Sequence, residues 1–353
     1  MKKAVISLTQ NGADLAVKLG SSIEADIYVK SEYASHYGSL YKGCSIHPVG
    51  EIFGDFVGSL FESCDALVFI MACGIVVRSI APYIKDKRTD PAVVVLDEKG
   101  KFVISLLSGH IGGANALAGE ISLVTGGTPV ITTATDVNDT VAFDVFAKQN
   151  DCIIENFEEL KYISSELVNN NKVYFYCDHD IQGDLPENLI KLKGSGCIDK
   201  ENAVVLSSKT DFEVSSRKAV FIRPRNLILG IGCRKGILKE NVEVAVRDFM
   251  DKNKRSMASI KCLATIELKK DEQGLLEFCR EHGLYLSTVS TDRVKEVEDS
   301  YTRSEFVKGK VGVSSVAEPC AVLSGKNARL ICKKKVYRGI TLALSEEEKV
   351  FRI

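Results

Sequence analysis

Along most of this chain, short apolar runs of strand length alternate with stretches whose apolar residues recur at helical spacing. That alternation predicts an α/β protein rather than a helical bundle or an all-β sandwich. Lys3 to Leu8 reads as a strand and Gly12 to Gly20 as a short helix. Ala66 to Met71 reads as a buried strand, followed by a helix near Ile75 to Ile80 that Pro82 should close. Ala92 to Leu96, the turn Asp97-Glu98-Lys99-Gly100 and Phe102 to Leu107 predict a hairpin. Gly112 to Val124 has helical spacing, Val130 to Thr133 is extended, and Val141 to Lys148 is helical again.

The character changes near Asn150, after which the chain is polar and rich in turn residues as far as Arg223. Arg223-Pro224-Arg225 makes a natural boundary, since proline forces extended backbone before it. Beyond it, Leu227 to Leu229 and Ser259 to Ile266 read as strands. Ile237 to Met250, Leu275 to Cys279 and Ser315 to Leu323 read as helices. The expected layout is an α/β multi-domain chain: an N-terminal α/β domain over 1–150, a small middle region over 151–224 and a C-terminal α/β domain over 225–353.

Composition removes several classes. The 353 residues carry 46 Lys and Arg against 47 Asp and Glu, a balance ill suited to a duplex-DNA binder. The apolar run from Ala66 to Val77 is too short to span a bilayer and stops at Arg78. The N-terminal MKKAVISLTQNG has too short an apolar core for a signal peptide, so the expected location is cytoplasmic. Eleven cysteines include no CxxC pair and no zinc-ligand spacing, and are read as reduced, mostly buried thiols. From Asn226 onward there are 24 basic against 18 acidic residues. This excess favours an anionic small molecule near the C-terminal unit, although a solvated surface explains it equally well.

The stretch Leu106 to Asn115 combines Ser108, Gly109, His110, Gly112, Gly113 and Asn115 between a predicted strand and a predicted helix. Glycines admit a ligand close to the backbone, and free N–H groups at a helix start suit a carboxylate or a developing oxyanion. His110 has the ordinary pKa range for proton transfer. The bland alternative is a tight turn that the histidine caps. The GxSxG elbow is absent, so Ser108 as nucleophile is less favoured than a water assisted by His110.

A second cluster, Gly230-Ile231-Gly232-Cys233-Arg234-Lys235-Gly236, superficially resembles a dinucleotide fingerprint, but its third glycine falls one residue late. An anion cradle with Arg234 and Lys235, or a plain tight turn, fits it better. Arg78 and Lys87 are candidates for a substrate carboxylate, against a solvated charge run. Thr133 and Asp136 end a strand, where α/β sheets place ligands, although β-propensity alone explains the threonines. Asp271 and Glu272 suit a helix start by dipole. Ser315 to Glu318 fits a capping box.

Taken in order, these segments resemble the cobalt-precorrin-5A hydrolase family, of the CbiG type. The resemblance rests on Gly74 to Arg78 with Ile80-Ala81-Pro82, Lys87 with Asp90-Pro91-Ala92-Val93, Leu106 to Asn115 and Val130 to Asp136. It continues with Leu229 to Arg234, Lys269 with Glu272, and Gly312 to Glu318. The core motifs fall within 66–136, and the last third is similar to CobE-type proteins. The family pattern would have Asp where this chain has Glu267.

The resemblance implies hydrolysis of the δ-lactone of cobalt-precorrin-5A, with release of acetaldehyde to give cobalt-precorrin-5B, in anaerobic cobalamin biosynthesis. For that reaction the loop residues offer a catalytic set of His110, Ser108 and Asn115, with His110 as base or as axial ligand to cobalt, and with the backbone N–H groups near Gly112 and Gly113, together with Asn115, as the oxyanion donors. The substrate-binding set is Arg78, Lys87, Gly109, Gly112, Gly113, Thr133, Asp136, Gly232, Arg234, Lys269 and Glu318. Cobalt is carried by the substrate and no cofactor or metal of the protein's own is expected. The partner is a cobalt-corrinoid, with neither nucleic acid nor membrane; a homodimer and transient contacts with neighbouring pathway enzymes are compatible with it. A non-catalytic corrinoid carrier, or another corrinoid-modifying enzyme such as a methyltransferase, would use much of the same surface.

Overall fold

Strand β1 (Lys3–Ser7) lies at the middle of a seven-stranded sheet in the order β3-β2-β1-β4-β5-β6-β7. Its companions are β2 (Asp26–Val29), β3 (Ile46–Pro48), β4 (Ala66–Ile70), β5 (Ala92–Leu96), β6 (Phe102–Leu107) and β7 (Thr128–Val130). The computed structural model describes residues 1–40, 45–86, 89–134, 140–192, 194, 197–198, 201–214, 218–301, 309 and 312–353. The chain forms two compact units, Met1–Val145 and Phe146–Ile353.

In the first unit β1 to β5 are mutually parallel, whereas β6 pairs antiparallel with β5 and β7 parallel with β6. Alternate side chains therefore feed two cores. Val5, Val68 and Val94 face α1 (Gln10–Ile23), α2 (Ser31–Leu40) and, later in the chain, α5 (Ala114–Thr125). Ile6, Phe69 and Val95 face α3 (Phe53–Ser63) and α4 (Cys73–Ile80). The β4 and β5 sequences, ALVFI and AVVVL, are buried at every position, as a sheet covered on both faces requires.

The second unit holds two five-stranded sheets. The polar stretch read as an irregular middle region contains one of them, built from β8 (Cys152–Ile154), β9 (Val173–Cys177), β11 (Leu189–Lys191), β13 (Ala203–Leu206) and β15 (Ala219–Pro224), in the order β11-β9-β13-β15-β8. Short pairs β10 (Asp180–Gln182) with β21 (Val350–Arg352) and β12 (Cys197–Ile198) with β14 (Glu213–Val214) complete it. The strands are two to six residues long and are separated by polar loops. The helix Phe157–Val168 buries Leu160, Ile163 and Leu167.

The last sheet has the order β18-β17-β16-β20-β19, from β16 (Leu227–Cys233), β17 (Ile260–Ile266), β18 (Tyr285–Val289), β19 (Arg329–Tyr337) and β20 (Ile340–Glu346). Its parallel strands β16, β17 and β18 are covered on one face by helices Lys239–Lys252 and Gln273–Glu281. Thr291–Val297 and Ala317–Leu323 cover the other. Gly230 permits that second covering: a Cβ there would lie 1.9 Å from the Ala317 carbonyl oxygen. Nine of the cysteines are free thiols, and burial pushes Cys152, Cys177, Cys279 and Cys320 up to about 12.

Candidate functional site

Because β6 runs against β5, Leu107 pairs with Val93, and the loop after it leaves the sheet where β4 and β5 begin. The same holds for the chain leaving β7, which is parallel to β6. The glycine loop and Thr133 therefore share one edge of the sheet, but not the carboxyl edge of the main parallel strands where such sheets place ligands. The expectation that placed Thr133 at that crevice is corrected by the reversal of these two strands.

Within the loop, Ser108 takes a left-handed backbone (φ 56°) and Gly113 another (φ 94°). The Ala114 N–H donates to the Ser108 carbonyl at 3.1 Å, and the Asn115 N–H to the Gly109 carbonyl at 3.0 Å. The Gly113 N–H donates to the His110 carbonyl at 3.0 Å. This corrects the expected oxyanion donors, since the Gly113 amide is already engaged within the loop. The Gly112 N–H donates to none of the described residues.

Two glycines are required by packing. A Cβ at Gly112 would lie 2.3 Å from Ser108 Cβ, and one at Gly109 would lie 2.6 Å from Asn115 Oδ1. Asn115 is buried; its Oδ1 accepts the Ser105 hydroxyl at 2.6 Å and its Nδ2 donates to Thr133 Oγ1 at 3.0 Å. Asn115 thus fixes the loop against the strands, and Ser105, which sequence reasoning missed, completes the clamp. Ser108 Oγ is buried without a hydrogen-bond partner. Among the described residues no base accepts from it, which disfavours the nucleophile reading. His110 is half-buried at the bend.

Asp90 stands at the same sheet edge, two residues before β5, with both carboxylate oxygens accepting from the Lys85 N–H at 3.2 and 3.0 Å. Arg78 is exposed on α4, and its guanidinium lies back toward Gly74. Lys87 and Asp136 lie outside the described residues.

The second unit contains a cavity of about 880 Å³ at the carboxyl ends of β16 and β17. Gly232, Cys233, Ile266 and Leu268 form one wall, Ser314 to Ala317 another, and the β19–β20 hairpin a third. Arg234, Lys235, Lys269, Lys334 and Arg338 line it and, among the described residues, no Asp or Glu does. Leu268 and Val336 are 65% and 73% exposed, so the mouth is apolar as well as cationic. Tyr337 is held by its hydroxyl, which donates to Asp248 at 2.9 Å.

Sequence reasoning identified Gly232, Arg234 and Lys269 here. It missed Lys334, Tyr337 and Arg338, for which the run Lys333-Lys334-Lys335-Val336-Tyr337-Arg338 was the available signal. Lys269 is paired with Glu272 at 2.9 Å. Glu272 Oε1 in turn accepts from the Gly236 N–H at 2.6 Å and the Ile237 N–H at 3.2 Å. The anion cradle read from the second glycine cluster is therefore occupied by the protein's own carboxylate. Burial raises the Glu272 pKa, but Lys269 and these amides outweigh it and hold the group below its ordinary value.

No dinucleotide fold follows β16 either. The next helix begins only at Lys239, and Gly230 is packed by the helix Ala317–Leu323. The expected capping box is absent, because that helix is preceded by Val316, which makes no side-chain cap. Glu318 is buried and accepts from the Lys334 N–H at 3.0 Å, tying the helix to β19. Among the described residues, no group of three or more His, Cys, Asp or Glu could hold a metal ion. No described helix is long and apolar enough to cross a membrane.

Family models match three successive regions: "Cobalamin synthesis G N-terminal" at residues 55–136, "Cobalamin biosynthesis central region" at 141–224 and "Cobalamin synthesis G C-terminus" at 227–345. A cobalt-precorrin-5A hydrolase from Priestia megaterium is 34% identical, over 94% of this chain and 91% of that protein. One from Salmonella typhimurium is 32% identical, over 97% and 96%. Among solved structures, a cobalamin biosynthesis protein G homologue from Sulfolobus solfataricus is 23% identical over 98% of this chain and 97% of its own, with a TM-score of 0.38. The chain carries the three regions in family order and is alike to its curated relatives along nearly its whole length, so it is a hydrolase that belongs to the cobalt-precorrin-5A hydrolase family of cobalamin biosynthesis.

Proposed function

We infer that this chain opens the δ-lactone of cobalt-precorrin-5A with water, releasing acetaldehyde and leaving cobalt-precorrin-5B. The observation that carries the reading is the cavity of about 880 Å³ in the second unit. Its apolar walls suit the face of a large macrocycle, and its cationic lining suits peripheral carboxylates. Arg234, Lys235 and Arg338 are exposed cations at its mouth. Lys269 contributes less, because Glu272 compensates its charge.

In the hydrolytic step His110 takes one proton from water as the water oxygen bonds to the acyl carbon, and the acyl–oxygen bond then breaks to give a carboxylic acid, which keeps the second water proton, and an alkoxide. The Gly112 N–H is the loop's donor for the transient oxyanion. The alkoxide carbon becomes the aldehyde as its bond to the ring breaks, the electron pair remaining on the macrocycle. Cobalt enters and leaves as part of the substrate.

Incubating the purified protein with the lactone corrinoid and measuring acetaldehyde tests this reading. Stoichiometric binding without aldehyde would favour a corrinoid carrier. Transfer of a methyl group from a nucleoside donor would favour a methyltransferase.

A further inference from the structure

Strands β16, β17 and β18 begin at the end of their sheet opposite the large cavity, and there a second cavity of about 240 Å³ opens. Among the described residues it is lined by Ile153, Met257, Ile260 and Leu284, together with Arg225 and His282, and by no Asp or Glu. The inference drawn from it does not rest on the hydrolase reading.

Arg225 is fixed rather than trailing into solvent. Its main-chain N–H donates to the Asp151 carbonyl at 3.1 Å, and its Nη2 donates to the Gly283 carbonyl at 3.2 Å. Its Nε is buried and has no acceptor. That N–H is closed to water, so an incoming anion meets the outer edge of the guanidinium. His282 is also held in place: Nε2 lies 2.6 Å from Glu243 Oε2, and the ring packs on Phe278 with centroids 4.5 Å apart.

We propose that this cavity binds a small aliphatic monocarboxylate, its carboxylate on the Arg225 guanidinium and its alkyl chain against Met257, Ile260 and Leu284. One guanidinium matches one negative charge. His282 adds little further positive charge, because Glu243 lies against it, so a dianion would be left undercompensated among apolar walls. The volume accepts a few heavy atoms and excludes a corrinoid.

The chain has four methionines, so ¹³C-methyl labelling of the full-length protein gives a spectrum in which Met257 can be assigned through Met257→Leu. Titration with acetate, propionate and butyrate should move the Met257 signal saturably, with affinity rising along the series, while Met71 in the other unit stays still. Arg225→Lys keeps the charge but loses the planar guanidinium, and should weaken butyrate binding about tenfold or more. A Met257 signal unmoved by butyrate means that the cavity holds water only, and overturns the proposal. Equal affinity in Arg225→Lys overturns it too, as does inorganic phosphate binding more tightly than butyrate. Should Arg225→Lys fail to fold, the chain-length series on the wild-type protein decides, and a flat series counts against the site.

Discussion

Asn115 Nδ2 donates to Thr133 Oγ1 at 3.0 Å, tying the helix that leaves the glycine loop to the chain that leaves β7. The same amide accepts from Ser105 through Oδ1. Asn115→Ala therefore leaves two hydroxyls without their partner. It should cost about 1–3 kcal/mol of stability, read by denaturant unfolding. Turnover should fall further than that loss of folded protein explains, because the His110 loop loses its anchor.

The two glycines Gly112 and Gly119 should respond in opposite ways to alanine. At Gly112 the new Cβ meets Ser108 Cβ at 2.3 Å and the Ser108 carbonyl oxygen at 2.6 Å, so the loop must move and activity should be lost. At Gly119, inside α5, nothing lies within 4 Å. Gly119→Ala should be neutral or stabilise by up to about 1 kcal/mol. Thermal unfolding and aldehyde release, measured on both variants, check the contrast.

His110→Ala should lower acetaldehyde formation by about 10²–10⁴-fold if the imidazole is the proton acceptor. Corrinoid binding, followed by the visible absorption of the macrocycle, should change little. An undiminished rate would remove His110 from the reaction.

Glu272 ties stability to pH. Its folded pKa lies below the ordinary 4.5, so the unfolded chain binds this proton more tightly than the native state does. The stabilisation is complete above about pH 4.5 and drains away as the pH falls through the folded value. Wild type should exceed Glu272→Gln in unfolding free energy at pH 7, and the gap should close under acid. A constant gap down the acid limb would contradict the assignment.

Arg234 and Arg338 are exposed at the mouth of the large cavity. Replacing either with Gln should weaken corrinoid binding about two- to fivefold at low salt, with the difference shrinking as ionic strength rises. Lys269→Met should act differently, because it also leaves Glu272 buried without its cation and so destabilises the fold.

Much of this was written in the chain itself. The apolar runs ALVFI and AVVVL announced strands covered on both faces, and the hairpin at Asp97 to Gly100 followed from turn chemistry. The ordered motifs from Gly74 to Glu318 carried the family. These are local signals, set by side-chain alternation, glycine freedom and spacing.

What only tertiary structure decided depends on neighbours distant in sequence. The parallel pairing of β5 with β4 sets which edge of the sheet the hairpin returns to, and so where His110 lies; no residue within the loop encodes it. Glu272 occupies the Gly236 amides from 36 residues away, which turned an apparent anion cradle into an internal tie. Glu318 is consumed by a strand amide rather than by its own helix. The cavity of the second unit exists only because Gly232, Lys269, Ser314 and Arg338, from four separate segments, surround one space.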